Sequence, residues 1–345
     1  MPRSAVPLRL GMITVEPHGR PWAEVLARRP DAKMEYAWDY DLDRARGYAD
    51  KYSIPHVVQQ VEDMVGEVDA VLIGGGRRQP KVNDIWGEEP DDHLRLSRPF
   101  LEHGMPVLID KPFADRLEDA VEMVRLARSH GALLMSCSAM RYDSQVQALR
   151  EIVEDGGLGL ISGAVCMIGT GASTLKWYLI HMLEAMHVAF GPGIESVFAL
   201  PSHVPVVPGK EGYAKSYGLV FRWTDGRVAT MLMVCDQTDA AEGKERAGRS
   251  ARVLWPTATI VPPYLPLHYS IRVYGDMNWA DVRPVGKGCY SRKLGAFLNM
   301  VRTGKEAIPL EHTLELTQAL VLAEQSLKSC KLETLRPVAD LLPAT

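Results

Sequence analysis

One side chain that could act as an acid, a base or a cation is a lysine that closely follows a short apolar run. The apolar residues 107–109 lead into Asp110-Lys111-Pro112, and an amphipathic segment follows at residues 117–130. This pattern predicts a buried strand that delivers Lys111 at its carboxyl end, followed by a helix. In open α/β sheets that end of a strand borders the ligand-binding crevice, so we expect a cation there.

A second set of side chains that can transfer protons or form hydrogen bonds occurs at every third position of one predicted helix. The set consists of Tyr178, His181, Glu184 and His187. On a helix this spacing puts the side chains on one face. Histidine titrates near neutral pH and suits proton transfer, while Glu184 could orient the imidazole and Tyr178 could hydrogen-bond a hydroxylated ligand. A histidine on an apolar helix is also typical of a protein core, and the residues alone leave both interpretations open.

Histidines and a carboxylate on one helix face also raise the question of a metal site. Zinc-binding helices prefer histidines one turn apart, with a third ligand elsewhere in the chain. His181 and His187 are six residues apart, and the five cysteines are scattered without a Cys-x-x-Cys pair. We therefore expect no metal and reduced, mostly buried thiols.

Composition narrows the class of protein. The chain has 345 residues, of which 46% are hydrophobic and 24% charged, and its formal net charge is −4. These values argue against disorder and against a disulfide scaffold, and the length favours two domains. No block of Lys and Arg indicates nucleic-acid binding. No apolar run is long enough for a signal peptide or a membrane span, so we expect a cytoplasmic protein.

The chemical groups must be positioned by two different kinds of domain. In residues 1–141, short apolar runs alternate with helical patterns, one of which covers residues 61–65, and this alternation predicts a Rossmann-type doubly wound parallel sheet. Residues 142–345 contain strand-like runs, one of them at residues 253–254, and three helical patterns at residues 179–190, 293–302 and 310–329. Asp225-Gly226 between two alternating runs predicts a hairpin. An α+β domain with a large, mainly antiparallel open sheet fits this second part. The glycine-rich and acidic segment 74–92 reads as a long loop, either a lid over the crevice or a surface insertion.

Several stretches together resemble the Gfo/Idh/MocA family of nicotinamide-dependent sugar and polyol oxidoreductases, over nearly the whole chain. The Asp-Lys-Pro sequence is similar to the family's Glu-Lys-Pro signature, and Ile180-His181 is similar to its inner helix with a histidine. The other matching segments are Asp39 with Asp41, Arg44 and Ala45, and residues 69–73, 93–104, 191–197 and 297–304. The chain looks like a divergent branch of this family.

The resemblance implies a Rossmann domain, a second domain whose sheet packs between subunits, and bound NAD. It implies that Lys111 positions or deprotonates a substrate hydroxyl while His181 acts as acid/base. A small sugar-like or polyol-like substrate is expected, as is a homo-oligomer formed through the carboxyl-terminal sheet, with no nucleic-acid or membrane partner. The residues expected to bind the cofactor are Thr14, Glu16, His18, Gly19, Asp39, Gly74, Gly75, Asp110, Lys111 and Pro112.

Two departures from the family pattern bear on the chemistry. Where the family has a Gly-x-Gly-x-x-Gly loop, only Gly19 remains, and Glu16 brings a carboxylate towards the phosphate site, although His18 could contact an anion.

Asp39 favours NAD over NADP, because a carboxylate there accepts from a ribose hydroxyl and repels a phosphate.

The second departure is Trp177, which stands where the family has an aspartate one turn before its histidine. Tyr178 and Glu184 are therefore assigned to the catalytic set with Lys111 and His181. Residues expected to contact the substrate are Arg141, Tyr142, Trp177 and His187. Arg141 and Tyr142 could equally anchor the domain junction.

Three functions are consistent with these features. The leading one is an NAD-dependent oxidoreductase acting on a sugar, polyol or related hydroxy compound. A close alternative is glycoside cleavage, in which NAD is recycled through transient oxidation and elimination. A third is a catalytically silent ligand-binding or regulatory protein, which the altered glycine loop and Trp177 would explain.

Overall fold

A computed structural model describes residues 6–15, 19–75, 91–170, 175–205, 213–235 and 268–342. The strands are β1 (Leu8–Ile13), β2 (Ala32–Trp38), β3 (His56–Val57), β4 (Ala70–Ile73), β5 (Val107–Ile109), β6 (Leu134–Ser136), β7 (Ile161–Thr170), β8 (Ile194–Pro205), β9 (Tyr213–Trp223), β10 (Val228–Cys235), β11 (His268–Gly275), β12 (Trp279–Val282) and β13 (Glu333–Thr334). The helices are α1 (Gly19–Leu26), α2 (Leu42–Tyr52), α3 (His93–Glu102), α4 (Leu117–His130), α5 (Ser144–Glu154), α6 (Leu175–Phe190), α7 (Cys289–Thr303), α8 (Leu310–Ser329) and α9 (Val338–Leu341).

The chain forms two compact units. The first contains the described residues of Met1–Tyr142, Gly286–Gln318 and Pro337–Thr345, and the second those of Asp143–Val285 and Ala319–Arg336. The expected division of the chain into residues 1–141 and 142–345 therefore differs from the structure, in which two later segments belong to the first unit. The physical reason is that α7 and the start of α8 bury their apolar faces in cores of the first unit.

The first unit is built on a six-stranded parallel sheet in the order β3-β2-β1-β4-β5-β6. Its central strands β4 and β5 consist of buried apolar residues throughout, as expected for a sheet covered on both faces. One face carries a core that includes side chains of α1, α2 and α7. The other carries a core that includes α3, α4 and the beginning of α8. The expected doubly wound fold is confirmed.

The second unit is built on a seven-stranded sheet in the order β12-β11-β7-β10-β9-β8-β13. Neighbouring strands pair antiparallel except β7 and β10, which run parallel, so the sheet is mainly antiparallel as expected. The Asp225-Gly226 hairpin joins β9 to β10, and Gly226 adopts a φ of 91°, which glycine tolerates at no steric cost.

One face of this second sheet is buried and the other is open. Cys166 and Met231 are buried, whereas Val165 and Leu232, one position along the same strands, are exposed. This alternation follows from the two-residue period of a strand. Helix α6 packs on the buried face against β7 and β10.

Some elements differ from the expectations. The segment expected to be helical at residues 61–65 forms a 3₁₀ turn, Val61–Met64. Strand β8 and helix α5 were not expected, and the strand expected at residues 253–254 lies outside the described residues. In the described part of the chain, no helix combines the length and apolarity needed to span a bilayer.

Candidate functional site

The candidate site of the first unit lies where β1, β4 and β5 end side by side. Ile13 pairs with Ile73, and Ile73 pairs with Ile109, so the residues that follow these three strands emerge at one edge of the sheet. The strand order reverses direction between β1 and β4, which is the switch point where open α/β sheets bind ligands. Thr14, Gly74 and Asp110 are the first residues beyond the strands.

Thr14 and Gly74 close the gap between β1 and β4. Thr14 has a φ of 57°, and its hydroxyl donates to the Ile13 carbonyl at 2.7 Å and accepts the Gly75 amide at 2.9 Å. A Cβ on Gly74 would lie 2.4 Å from the Thr14 carbonyl oxygen and 2.6 Å from the Met12 methyl. With this backbone conformation only glycine fits at position 74. The hydrogen bond between the Thr14 hydroxyl and the Gly75 amide connects the two strand ends.

Helix α1 begins at Gly19, which is buried. Its carbonyl accepts a hydrogen bond of 2.7 Å from the Tyr48 hydroxyl, and burial raises the pKa of Tyr48, which keeps the phenol a neutral donor. A Cβ on Gly19 would lie 3.1 Å from Met12 and 3.2 Å from the Tyr48 oxygen. Glu16 and His18 lie outside the described residues.

Asp39 follows β2 and is 2% exposed. One carboxylate oxygen accepts the Val15 amide at 2.9 Å, and the other accepts the Asp41 amide at 3.1 Å. The Arg44 guanidinium also donates to this second oxygen. The carboxylate therefore ties the chain after β1 to the end of β2, and Arg44 balances its charge.

Asp110 lies at the carboxyl end of β5 and is 2% exposed. Its amide donates to the Ile73 carbonyl at 2.9 Å, and its carboxylate accepts from the Lys293 ammonium at 3.0 Å. Lys293 belongs to α7, and its Nζ lies 5.5 Å from the centroid of the Trp22 ring on α1. A buried cation thus links the lysine turn to a helix near the end of the chain.

Lys111 is half-buried, and the Lys111–Pro112 peptide bond is cis. The next residue, Phe113, is held through its carbonyl, which lies 3.0 Å from Nδ1 of the buried His93. Two further contacts brace this turn, because the Asp115 amide donates to the Asp91 carboxylate at 2.6 Å and the Asp91 amide donates to Asp115 at 3.1 Å. The segment after Lys111 is therefore fastened to the residues that begin α3.

Arg141 and Tyr142 lie on a 3₁₀ turn, Ala139–Tyr142, at the end of the first unit's first segment. The Arg141 amide donates to the Ser138 carbonyl at 3.2 Å, and Arg292 of α7 donates to the Tyr142 carbonyl. Both side chains are half-buried. A role for them in substrate binding stays a prediction.

Helix α6 in the second unit carries the other predicted site residues. Tyr178 and His181 are half-buried, with ring centroids 6.0 Å apart, and the imidazole meets the Tyr269 ring edge to face at 5.8 Å. Glu184 and His187 are only 2% and 3% exposed. The four residues at this spacing therefore differ in burial: the first two are partly exposed and the last two are buried, because most of the surface of α6 is buried.

Trp177 is 6% exposed. It is part of the buried side of α6 rather than of the partly exposed face that carries Tyr178 and His181. Within the described ranges no group of three or more His, Cys, Asp or Glu side chains could hold a metal ion. The predicted residues fall into two sets, with Lys111 in the first unit and His181 in the second, and their convergence stays a prediction.

Three residues near the predicted ones were not identified from the sequence. Lys293 contacts Asp110 and Tyr269 contacts His181, whereas His93 contacts Phe113, two residues after Lys111. Lys293 carried a weak signal, since a lysine on the apolar face of the helix pattern at residues 293–302 is unusual. Tyr269 and His93 carried none that distinguishes them from core residues.

Comparison with known proteins bears on the first unit most directly. A family model described as an oxidoreductase family with an NAD-binding Rossmann fold matches residues 9–137. Over 153 residues the chain is 29% identical to 1,5-anhydro-D-fructose reductase of Ensifer adhaerens, an alignment that covers 44% of this chain and 42% of that protein. Inositol 2-dehydrogenase 3 of Saccharopolyspora erythraea is 28% identical over 39% of this chain and 37% of its own. The match spans less than half of each relative.

Solved structures share the fold across both units. The myo-inositol dehydrogenase of Lactobacillus casei, solved with NAD(H) and myo-inositol, has a TM-score of 0.75 at 14% identity and covers 96% of this chain and 97% of its own. That of Corynebacterium glutamicum has a TM-score of 0.73 at 15% identity, with coverage of 96% and 100%. At such identities the likeness establishes the fold.

The described residues fit a dinucleotide at the edge of the first sheet. Gly74 leaves backbone rather than a side chain at the switch point, where a Cβ would fill the space beside Thr14. Asp39 and Asp110 occupy the ends of β2 and β5 on either side of that point. These are the places at which this kind of fold holds the ribose and the nicotinamide end of the cofactor.

Proposed function

We propose that this chain is a member of the Gfo/Idh/MocA oxidoreductase family and an NAD-dependent oxidoreductase that acts on a hydroxyl-bearing carbon of a sugar, polyol or related compound. The observation that carries this proposal is the position of Lys111, which is the second residue after β5, at the edge of a Rossmann sheet. A lysine amine at this place reaches the crevice in which the cofactor's reactive end is expected.

The chain's own residues divide the work of proton transfer. We assign Lys111 of the first unit to hydrogen-bonding a substrate hydroxyl, and we assign His181 of the second unit, as general base, to accepting a hydroxyl proton when the carbon is oxidised. Tyr178 lies against His181 and donates a hydrogen bond to a second substrate hydroxyl. The chemistry that a bound nicotinamide would supply is acceptance of the hydride from that carbon.

Partial burial supports this division. His181 is half-buried and its ring meets that of Tyr269 edge to face, so the imidazole is packed on the helix while part of its surface stays exposed. Glu184 and His187 are deeply buried one and two turns further along α6. We assign them to supporting the helix face rather than to touching the substrate, and Trp177 to shaping the apolar wall in place of the family aspartate.

NAD is the proposed cofactor in preference to NADP. The Asp39 carboxylate is held at the end of β2 by the Val15 and Asp41 amides, so its negative charge is fixed at the strand end where we expect the adenosine ribose. A fixed carboxylate accepts from a ribose hydroxyl and repels a phosphate. Arg44 offsets part of that charge, and the selectivity is therefore expected to be moderate.

The open face of the second sheet supports assembly into a homo-oligomer. Val165, Leu232 and Trp279 are 51%, 44% and 58% exposed, and they lie on three strands of one sheet. Apolar side chains exposed over a sheet face are typical of a surface that a second subunit covers. Sedimentation analysis of the purified chain would test this part of the proposal, because a monomer at micromolar concentration contradicts it.

Turnover of a substrate panel tests the proposed reaction. Purified protein is incubated with NAD and a set of inositols, aldoses and glycosides, and NADH formation and product release are followed together. We expect net NADH formation with at least one polyol, and a loss of about a hundredfold or more in kcat for Lys111→Met and His181→Asn. Release of an aglycone without net NADH would indicate glycoside cleavage instead. Ligand binding without any turnover, unaltered in Lys111→Ala, would indicate a silent binding protein.

A further inference from the structure

A lysine with almost no exposed surface lies behind the lysine turn. The Lys293 side chain is 1% exposed and its partner Asp110 is 3% exposed, with 3.0 Å between Nζ and Oδ1. Lysine is almost never fully buried unless it is paired. The Nζ also lies 5.5 Å from the centroid of the Trp22 ring, so one ammonium contacts the end of β5 and helix α1 while it belongs to α7.

Stability alone does not account for this pair. Removing two charges from water costs several kcal/mol per ion, and well-packed apolar residues of similar volume do as well or better in most measured cases. The surroundings of the pair are already apolar, since Met12, Leu108 and Phe297 belong to the same core. An ion pair in such a core indicates that the place of the carboxylate matters.

The carboxylate sets the direction of the residue that follows it. Successive strand residues point to opposite faces, and Leu108 and Asp110 both point to the face covered by α1 and α7, whereas Ile109 points to the other core. Asp110 is held by its amide to Ile73 and by its side chain to Lys293. Lys111 therefore leaves the strand from a residue fixed at two points.

We propose that Lys293 is a positioning residue for Lys111, acting through Asp110. Asp110 stands where the family signature has the longer glutamate. The Lys293 ammonium neutralises the Asp110 carboxylate from the α7 side, and the turn thereby keeps Lys111 directed to the crevice. This inference rests on the proposed function for its catalytic consequence. The physical part, that Lys293 controls the environment of the Lys111 amine, does not depend on turnover.

The chain offers a matched control on the same helix. Arg302 of α7 pairs with Asp31 at 3.0 Å and so fastens the other end of that helix to the first unit. Arg302→Met removes an ion pair of α7 without touching the lysine turn. Lys293→Met removes the buried ammonium, and Lys293→Met with Asp110→Asn removes both charges, so that no unpaired charge is left buried if the single variant folds poorly.

Two measurements on the full-length protein separate the outcomes. The first is kcat with the best substrate, together with NADH affinity. We expect kcat to fall about tenfold or more in Lys293→Met and in the double variant, since misplacement of a reacting group by 1 Å costs of that order or more. The NADH affinity of Lys293→Met, which keeps Asp110, should stay within about threefold of the parent. Arg302→Met should keep the parent kcat. A double variant that is both stable and fully active overturns the proposal, as does a kcat loss that only mirrors lost NADH binding.

The second measurement is the rate at which an acylating reagent labels the Lys111 amine, quantified by peptide mass spectrometry. We expect this rate to fall about threefold or more in Lys293→Met, because an uncompensated Asp110 carboxylate favours the protonated, unreactive ammonium. Arg302→Met should label Lys111 at the parent rate. An unchanged rate in Lys293→Met overturns the proposal. If the parent turns over no substrate and binds no NADH, but Lys111 is still labelled more slowly in Lys293→Met than in the parent, the positioning role is supported and the proposed function is rejected.

Discussion

The Lys293 ammonium lies 3.0 Å from the Asp110 carboxylate, and the two residues are 183 positions apart in the chain. Both side chains are buried, so each charge depends on the other for its solvation. The pair connects helix α7 to the strand end that precedes Lys111. The lysine turn therefore depends on a segment that follows residues 143–285 of the second unit in the chain.

Breaking this pair is expected to destabilise the first unit strongly. Lys293→Met leaves the Asp110 carboxylate buried and uncompensated, which should lower the free energy of unfolding by about 3 to 5 kcal/mol. The double variant Lys293→Met with Asp110→Asn should recover most of that loss. Urea denaturation followed by circular dichroism measures both, and a single variant as stable as the parent would contradict the burial of the pair.

Asp39 is expected to control cofactor preference together with Arg44. Asp39→Asn keeps the shape of the side chain but removes the charge that the Arg44 guanidinium faces, so Arg44 becomes available to a phosphate. The ratio of kcat/KM for NADP to that for NAD should rise about tenfold, the equivalent of roughly 1.4 kcal/mol. Steady-state kinetics with both cofactors measures the ratio, and an unchanged ratio would remove Asp39 from the cofactor site.

Gly74 is expected to tolerate no side chain. Gly74→Ala places a Cβ 2.4 Å from the Thr14 carbonyl oxygen, so the ends of β1 and β4 must separate, at a cost of about 1 to 3 kcal/mol and with weaker cofactor binding. Gly47→Ala is the control. Its Cβ would meet no atom within 4 Å, and a helical alanine should add about 1 kcal/mol of stability. Thermal melts and NADH titration compare the two, and equal effects would contradict the close approach.

Asp31 is expected to give the first unit a stability that depends on acid pH. Hydrogen bonds from Arg29, with the charges of Arg29 and Arg302, lower the pKa of Asp31 from 3.8 to about 2. A carboxyl whose pKa is lower in the folded state stabilises the fold above its unfolded pKa, and this contribution is lost as the pH falls through its folded pKa.

The parent should therefore exceed Asp31→Asn in stability at near-neutral pH, and the difference should shrink as the pH falls from about 4 towards 2. Urea denaturation at several pH values measures the difference. Asp50→Asn, at an exposed position of α2, serves as the control for a surface carboxylate. A difference between parent and Asp31→Asn that stays constant with pH would show that the charge is not the cause.

The sequence predicts the first unit well because its signals are local. Alternating apolar runs and helical patterns mark most of its strands and helices, and the run before Asp110 places Lys111 at a strand end without any tertiary information. The two-residue strand His56–Val57 is too short to produce a pattern. Strand β8 was missed because Pro201 and Ser202 interrupt its apolar run and the preceding glycines read as a helix exit.

The contacts that complete the candidate site are not local. Nothing in the spacing of Lys293 indicates Asp110 as its partner, and the helical pattern of α7 does not reveal which core it joins. For α6 the spacing of Tyr178 and His181 predicts a shared face, but not that Glu184 is buried, since burial depends on what packs against the helix. Periodicity identifies an element, whereas its neighbours come from the fold.

Direct titration with NADH tests the central claim, that the edge of the first sheet binds a nicotinamide dinucleotide. Fluorescence of NADH is followed as purified parent and Gly74→Ala are added, with no substrate present. We expect saturable binding by the parent, with a Kd in the range of about 1 μM to 1 mM that is usual for such enzymes, and clearly weaker binding by the variant. A parent that shows no saturable change up to about 1 mM NADH would exclude dinucleotide binding at this edge of the sheet.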